Sequence, residues 1–278
     1  MQQIIKISQS PKLGVFGVRR TGTKQSWWRK HWLELLGIRG GLLLFVSLWM
    51  LVTVIGDYPT FILPDPVTVF DELLKITING TLWHHAQATL IELFGGLALG
   101  LSTATILGYI LAKSPILERL LGPYVAALQS IPAVAIAPLL VIWFGSGQLS
   151  KVLIAALIVF FPVLVNTIVG IRSVEPGLTT LMRSLRANRW QMFTMLEVPA
   201  ALPVLLGGLK IGVTLGVIGA VVGEFVGADR GLGFLINLSK GLFNTPLMFA
   251  ALIALGAISL CLYALVTGLE HWLLAWRR

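Results

Sequence analysis

The sequence predicts an all-α polytopic membrane protein, with about six transmembrane helices and a basic cytoplasmic helix between the fourth and fifth. Three observations predict it. Of 278 residues, 56% are hydrophobic and only 12% charged, whereas a soluble domain carries about 25% charged residues. Apolar runs approaching the ~20 residues that a span needs recur along the chain. Lysine and arginine gather in alternate connecting segments, as the positive-inside rule requires.

The elements follow in order. Residues 1–40 hold eight Lys/Arg against one acid, Glu34. They are expected to form a cytoplasmic N-terminal segment ahead of a transmembrane domain over 41–278. Within it, residues 26–36 set Trp27, Trp28 and Trp32 beside Arg29, Lys30 and His31, a composition suited to an interfacial helix at the headgroup layer. No cleavable signal peptide is expected, because the start is basic and lacks an apolar core. The first span is placed at 41–55. Residues 56–83 are interrupted at Tyr58, Pro59, Pro64 and Pro66, then read as a short amphipathic helix over 67–76. Asn79-Gly80-Thr81 reads as a turn.

The second span, 85–112, ends at Lys113-Ser114-Pro115, and residues 116–123, with Glu118 and Arg119, read as a turn. The third, 124–144, is interrupted by Pro132 and Pro138; the fourth, 152–171, follows Gly145-Ser146-Gly147. The fifth and sixth are placed at 201–226 and 247–272. Between them, residues 227–246 carry Gly231, Gly233 and an apolar patch expected to dip partly into the membrane.

Between spans four and five lies the longest basic and polar interval of the second half, residues 172–203. Arg172, Arg183, Arg186 and Arg189 stand there against Glu175 and Glu197. Over 177–197, Leu178, Leu181, Met182, Leu185, Trp190, Phe193 and Leu196 recur at three- and four-residue steps, which predicts one helix. Glu175-Pro176 would start it and Pro199 stop it. With both termini and this elbow inside, cytoplasmic segments hold 16 Lys/Arg and outer ones 4.

The formal charge of +9 is assigned to cytoplasmic loops facing anionic lipid, and no nucleic-acid motif accompanies it. The lone Cys261 cannot form an internal disulfide, and His31, His84, His85 and His271 form no metal-ligand spacing. The stretch from Gly17 to Lys24 misses a phosphate loop, because Thr23 separates Gly22 from the lysine; Gly231-x-Gly233 lacks the third glycine of a dinucleotide loop.

Ionisable residues inside spans are costly and point to function. Glu92, Lys210 and Glu224 qualify. Glu92 is expected to face a cavity or pair with a cation, Lys210 to snorkel, and Glu224 to lie near the outer end of its span, close to water. No acid–base pair suggests an enzyme. Gly207, Gly208, Gly212, Gly216 and Gly219 give the fifth span a smooth face, suited to close packing in a bundle or a dimer seam. The absence of an internal repeat argues against a two-half secondary transporter.

Four motifs in order resemble one family over about residues 63–274. Ser184-Leu185-x-Ala187-x-Arg189-Trp190-x-x-Phe193 precedes Val198-Pro199-Ala200-Ala201-Leu202-Pro203. Ile131-Pro132-x-x-Ala135-x-Ala137-Pro138-Leu139 precedes Trp143-Phe144-Gly145. Glu224-Phe225-x-Gly227 leads to Gly231-Leu232-Gly233, and Thr245-Pro246-Leu247-x-Phe249-Ala250-Ala251 opens the last span. The chain resembles the inner-membrane permeases of binding-protein-dependent ABC importers, of the nitrate/sulfonate/taurine type that includes thiamine-precursor and riboflavin permeases.

The resemblance implies that two copies form the translocation path. A separate ATPase subunit would dock on the elbows, and an extracytoplasmic binding protein would deliver substrate. It also implies no cofactor on this chain, ATP being used by the partner. The candidate coupling residues are Arg183, Leu185, Arg186, Ala187, Arg189, Trp190 and Phe193; Pro132, Pro138, Glu92 and Glu224 are candidates for the path or gate. The family's Glu-Ala-Ala positions are Thr180, Leu181 and Met182 here, and its glycine position is Arg186. Arginine is a better helix former than glycine, so the usual turn at that position is not expected.

The binding protein of this family does most of the selecting, which leaves nitrate, sulfonates, taurine, pyrimidine precursors and riboflavin open. The apolar spans, with Lys210 as their one deep cation, favour an organic solute. An ATP-independent carrier or channel is the alternative, but it would call for a chain of intramembrane acids.

Overall fold

In the computed structural model, residues 25–275 are described, with side chains from Gly40 onward. The near-miss phosphate loop and the extreme C-terminus lie outside the described residues, as do the side chains of the tryptophan-rich segment. Every regular element among the described residues is helical, as the all-α expectation requires. The described residues fall into two compact units, divided between Leu51 and Val52. Helix α1, Gln25–Gly56, starts in the first and ends in the second.

In the second unit, α2 (Pro66–Ile78) is the expected amphipathic helix, with Val69 and Ile76 buried. Asp65 caps it, accepting from the amides of Val67 and Thr68 at 2.9 Å each and from the Thr68 hydroxyl at 2.6 Å. Those bonds, the Thr68 hydroxyl first, hold its carboxyl below the usual range. Pro66 at the first helical position has no amide to leave unpaired. Gly80, at φ 79°, then turns the chain into α3, Thr81–Lys113.

Residues 116–123 form helix, not a turn: α4 runs Pro115–Ser130, started by Ser114, whose hydroxyl accepts from the Leu117 amide at 3.3 Å. The reason is local. Pro115 sits where its missing N–H costs nothing, and Glu118 in the first turn suits the helix dipole. The chain breaks at Ile131-Pro132 and resumes as α5, Ala133–Phe144, bent by 91° from α4. The expected interruption at Pro132 is therefore a sharp corner, whereas Pro138 lies inside α5.

Four described helices are long and apolar enough to cross a membrane: α3, α6 (Gln148–Arg172), the run Arg189–Gly227, and α11 (Thr245–Leu273). The bent α4–α5 pair makes up to five, and Gly40–Gly56 is a shorter apolar helix. The last part of the Arg189–Gly227 run is α9, Val198–Gly227. Pro199 does not end a helix; it lies in the first turn of α9, where proline is tolerated. The interval 227–246 holds α10, Leu232–Gly241, which buries Leu232, Leu235 and Ile236.

Helix α6 is the centre of the bundle, packed between α3 and α9. Small residues allow this. A Cβ at Gly96 of α3 would come 2.4 Å from the Ala155 Cβ, and one at Gly219 of α9 would come 2.6 Å from the Ala155 Cα. Both neighbours therefore meet α6 at one alanine, where backbones approach as small-residue packing allows. The glycine face of the fifth span is thus spent within the chain. Gly207 is the exception, with nothing within 4 Å of an added Cβ.

Candidate functional site

The elbow differs from the expected single helix over 177–197. Its first part is α7, Pro176–Ser184. Arg186 then adopts φ 59°, the left-handed region that L-residues other than Gly, Asn and Asp rarely enter. The Arg186 amide donates to the Arg183 carbonyl at 2.9 Å and the Ala187 amide to the Met182 carbonyl at 3.0 Å. These two bonds form the Schellman arrangement that ends helices, usually around a glycine. Asn188 at once starts the next helix through a reciprocal pair with Gln191: Asn188 Oδ1 accepts from the Gln191 amide at 2.8 Å, and Gln191 Oε1 from the Asn188 amide at 2.9 Å. So the turn is made despite Arg186, because hydrogen bonds on both sides outweigh its helix propensity. The Asn188-x-x-Gln191 capping pattern was the sequence signal for the break.

Beyond the turn, α8 (Arg189–Gln191) passes through a π-helical turn, Met192–Glu197, into α9. The candidate coupling residues divide by exposure. Arg183, Leu185, Arg186, Arg189 and Trp190 are exposed, with Leu185 at 68% and Trp190 at 69%, whereas Ala187 and Phe193 are half-buried. The Phe193 ring meets Tyr109 of α3 edge-on at 5.3 Å and Trp190 at 5.8 Å. Phe193 thus ties the elbow to the bundle, while Leu185 and Trp190 present apolar surface among arginines.

Glu197, read from sequence only as one charge of the elbow, is its main anchor. It is buried, forms an ion pair with Lys113, and accepts from the Tyr109 hydroxyl at 3.0 Å. The sequence separation of 84 residues hid that pairing. Two further ion pairs lie at this end of the bundle: Arg172 with Glu118, and Lys210 of α9 with Glu270 of α11. Lys210, expected from the sequence to snorkel, is partnered by that carboxylate and sits 5.8 Å from the Tyr263 ring centroid.

At the opposite end, Glu92 and Glu224 come together, both 1% exposed. Glu224 lies near the end of α9, as expected, but its side chain is buried. It accepts from the Thr89 hydroxyl at 2.6 Å, from the Gly233 amide, and from the Phe234 amide at 3.3 Å. It thereby satisfies the first-turn amides of α10, which a helix cannot satisfy itself. Gly231, at φ 120°, and Gly233 let the chain close on that carboxylate; a Cβ at either would fall within 3 Å of it. The Thr89 hydroxyl also accepts from the Leu232 amide at 2.8 Å, and His85 Nδ1 accepts from the Gly231 amide at 3.1 Å. Neither oxygen of Glu92 accepts a hydrogen bond from a donor group; its carboxyl lies against that of Glu224. Lys151, which the sequence placed in an outer loop, is 2% exposed and donates to the Ser146 carbonyl at 2.7 Å. Thr89, His85 and Lys151 were not singled out from the sequence, because nothing in their spacing marks a contact across three helices.

The other two path candidates lie on the α4–α5 pair. Pro132, at its corner, lines a cavity of about 520 Å³ against α6. Pro138 is exposed on α5.

The chain has known counterparts in sequence and in fold. Residues 104–275 match the family described as the binding-protein-dependent transport system inner membrane component. The chain belongs to that family. It is 48% identical to the riboflavin transport system permease protein of Chloroflexus aurantiacus, over 87% of this chain and 90% of that one. A formylaminopyrimidine transport permease protein of Halalkalibacterium halodurans is 34% identical over 78% of this chain and 87% of its own length. A putative aliphatic sulfonates transport permease protein of Bacillus subtilis is 31% identical over 96% and 95%. In fold, the chain is similar to a chain of the MetNI methionine ABC transporter in inward-facing conformation. The TM-score there is 0.59 at 19% identity, covering 67% of this chain and 93% of that one. This protein is thus an inner-membrane, multi-pass permease of an ABC importer.

Arg186 offers a direct test of the turn. Left-handed backbone costs a non-glycine residue about 1–2 kcal/mol. Arg186→Gly is expected to raise stability by roughly 1 kcal/mol, seen as a higher melting temperature of the purified permease. A lower melting temperature would show that the Arg186 side chain holds the turn.

Proposed function

We propose that two copies of this chain form the translocation path and that a separate ATPase subunit docks on the elbow of each. Both termini and the elbow would be cytoplasmic, with residues 1–40 forming a cytoplasmic N-terminal segment and 41–278 the permease domain. An extracytoplasmic binding protein would deliver a small organic nutrient. The observation that carries this reading is the elbow's geometry. Two short helices meet at a fixed left-handed turn, Leu185 and Trp190 are exposed beside Arg183, Arg186 and Arg189, and the segment is joined to α3 through Glu197. Exposed aromatic and arginine side chains are the residue types that dominate protein interfaces.

The mechanism follows from that joint. Closure of the ATPase dimer on ATP moves the two elbows together. The Glu197–Lys113 pair and the Phe193–Tyr109 contact pass the displacement to α3, and rigid helices carry it to the far end as a shear. No cofactor on this chain is needed. The relatives named for riboflavin, formylaminopyrimidine and sulfonates support an organic solute.

Co-purification of the tagged permease in detergent, followed by mass spectrometry, tests the reading. An ATPase subunit should be recovered with the native chain and lost, with a reduction of ~100-fold or more in association, in Arg189→Glu/Trp190→Ala; removal of two central interface residues costs about 2 kcal/mol or more each. Uptake that proceeds without any ATPase partner would instead establish an ATP-independent carrier.

A further inference from the structure

We infer that the cavity at the α4–α5 corner holds the transported solute, and that it is built for a neutral, ring-bearing molecule and against an anion. This rests on the permease reading above and adds to it a place and a substrate chemistry.

The corner is the one broken span among the described residues. Irregular backbone at membrane depth is tolerated where protein or a water-filled cavity receives its polar groups. Here Pro132 has extended backbone, φ −60° and ψ 117°, and opens onto a cavity of about 520 Å³. That lies inside the ~300–1,000 Å³ range of small-molecule sites. Leu128, Gln129 and Pro132 form one wall; Phe161, Asn166 and Leu215 contribute to the other.

The chemistry of the lining is selective. None of its residues is ionisable. Its side-chain hydrogen-bonding capacity comes from two carboxamides. Asn166 Nδ2 donates to the Pro162 carbonyl at 2.8 Å, which leaves Oδ1 as an acceptor; Gln129 is exposed and its carboxamide has both a donor and an acceptor to offer. A flat heterocycle bearing imide or amide groups fits this set: its faces meet Phe161 and aliphatic carbons, and its edge meets the carboxamides. A sulfonate or nitrate would lose its hydration with no cation to meet it.

A second cavity shows what the first is not. It has about 560 Å³ and is lined by Leu99, Thr103, Leu140, Trp143 and Phe160, among others. Of its two side chains able to hydrogen-bond, Thr103 already donates to the Leu99 carbonyl at 2.6 Å, and Trp143 has a single indole N–H. That hollow can take a lipid chain and has no side-chain acceptor and donor together to orient a solute.

The test uses the chain's single thiol, Cys261. In a Cys261→Ser background, Ile136→Cys marks the first cavity and Leu140→Cys the second. The permease is reconstituted with its ATPase and binding protein in lipid vesicles, and labelling by a neutral maleimide is timed. Riboflavin or formylaminopyrimidine should slow labelling of Ile136→Cys about tenfold at tenfold saturation, while ethanesulfonate and nitrate leave it unchanged and Leu140→Cys responds to none. Adding Asn166→Leu should remove the protection.

Equal protection by the anions would overturn the proposal. So would labelling unaffected by any probe while ATP-driven uptake proceeds. So would an Ile136→Cys that reacts only after lipid or the second copy is stripped away. Protection is also read on the permease alone, so loss of ATP-driven uptake with protection intact would count against the importer reading and leave the site standing.

Discussion

Glu224→Ala will destabilise the permease by about 3 kcal/mol, and Glu92→Gln, its buried neighbour, will leave stability unchanged or raise it. The two residues are each 1% exposed, so burial alone predicts equal effects. Their hydrogen bonds separate them. Glu224 receives the Thr89 hydroxyl and the amides of Gly233 and Phe234. Its removal strands the amides of Gly233 and Phe234, each worth ~1–3 kcal/mol if left unpaired, leaves the Thr89 hydroxyl only a 3.3 Å bond to the His85 carbonyl, and costs α10 its seat on α9. Glu92 has no donor on either oxygen, so an amide there strands nothing and removes a carboxylate beside another. Thermal unfolding in nanodiscs measures both, and proteolysis at residues 228–231 reports release of α10. If Glu224→Ala and Glu92→Gln melt alike, the carboxylate is not the pin of α10.

Gly219→Leu is expected to prevent recovery of folded permease, and Gly207→Leu to be neutral. The two sit on one helix and within the same glycine-rich run, so helix propensity changes equally at both. Space does not. A Cβ at Gly219 meets the Ala155 Cα at 2.6 Å, whereas Gly207 is open. The Ala155 backbone cannot rotate away, and overpacking commonly costs about 1–3 kcal/mol for much smaller insertions. Size-exclusion profiles of the detergent-solubilised variants compare them; a monodisperse Gly219→Leu would mean that α6 and α9 can separate without loss of the fold.

The sequence disclosed what depends on periodicity and composition. Helix α2, the polar elbow, the corner at Pro132 and the helical class are legible because apolar spacing and proline chemistry are local. The family resemblance was legible from four spaced motifs. The failures have a common origin in competition between neighbours. Residues 177–197 carry helical spacing throughout, yet Asn188 and Gln191 cap each other and Arg186 accepts a left-handed backbone. Residues 116–123 looked too short to matter between two spans, but Ser114 and Pro115 start a helix that runs through them. The buried site was least legible. Glu92 and Glu224 stood out singly as charges in apolar runs, but Thr89 and Lys151 join them only through the packing of α3, α6 and α9, separations of which a linear pattern holds no trace.

The two ends of the bundle are fastened by different means. The elbow end is tied by Lys113–Glu197, Arg172–Glu118 and Lys210–Glu270, pairs with at least one partly solvated member. The opposite end is tied by buried hydrogen bonds around Glu224. Mobile ions screen the first kind of fastening over a Debye length of about 8 Å at physiological ionic strength and barely reach the second. Rising salt therefore loosens the bundle from the elbow side alone, making the ionic strength on that side a one-sided control on how stiffly the elbow is coupled to the helices behind it.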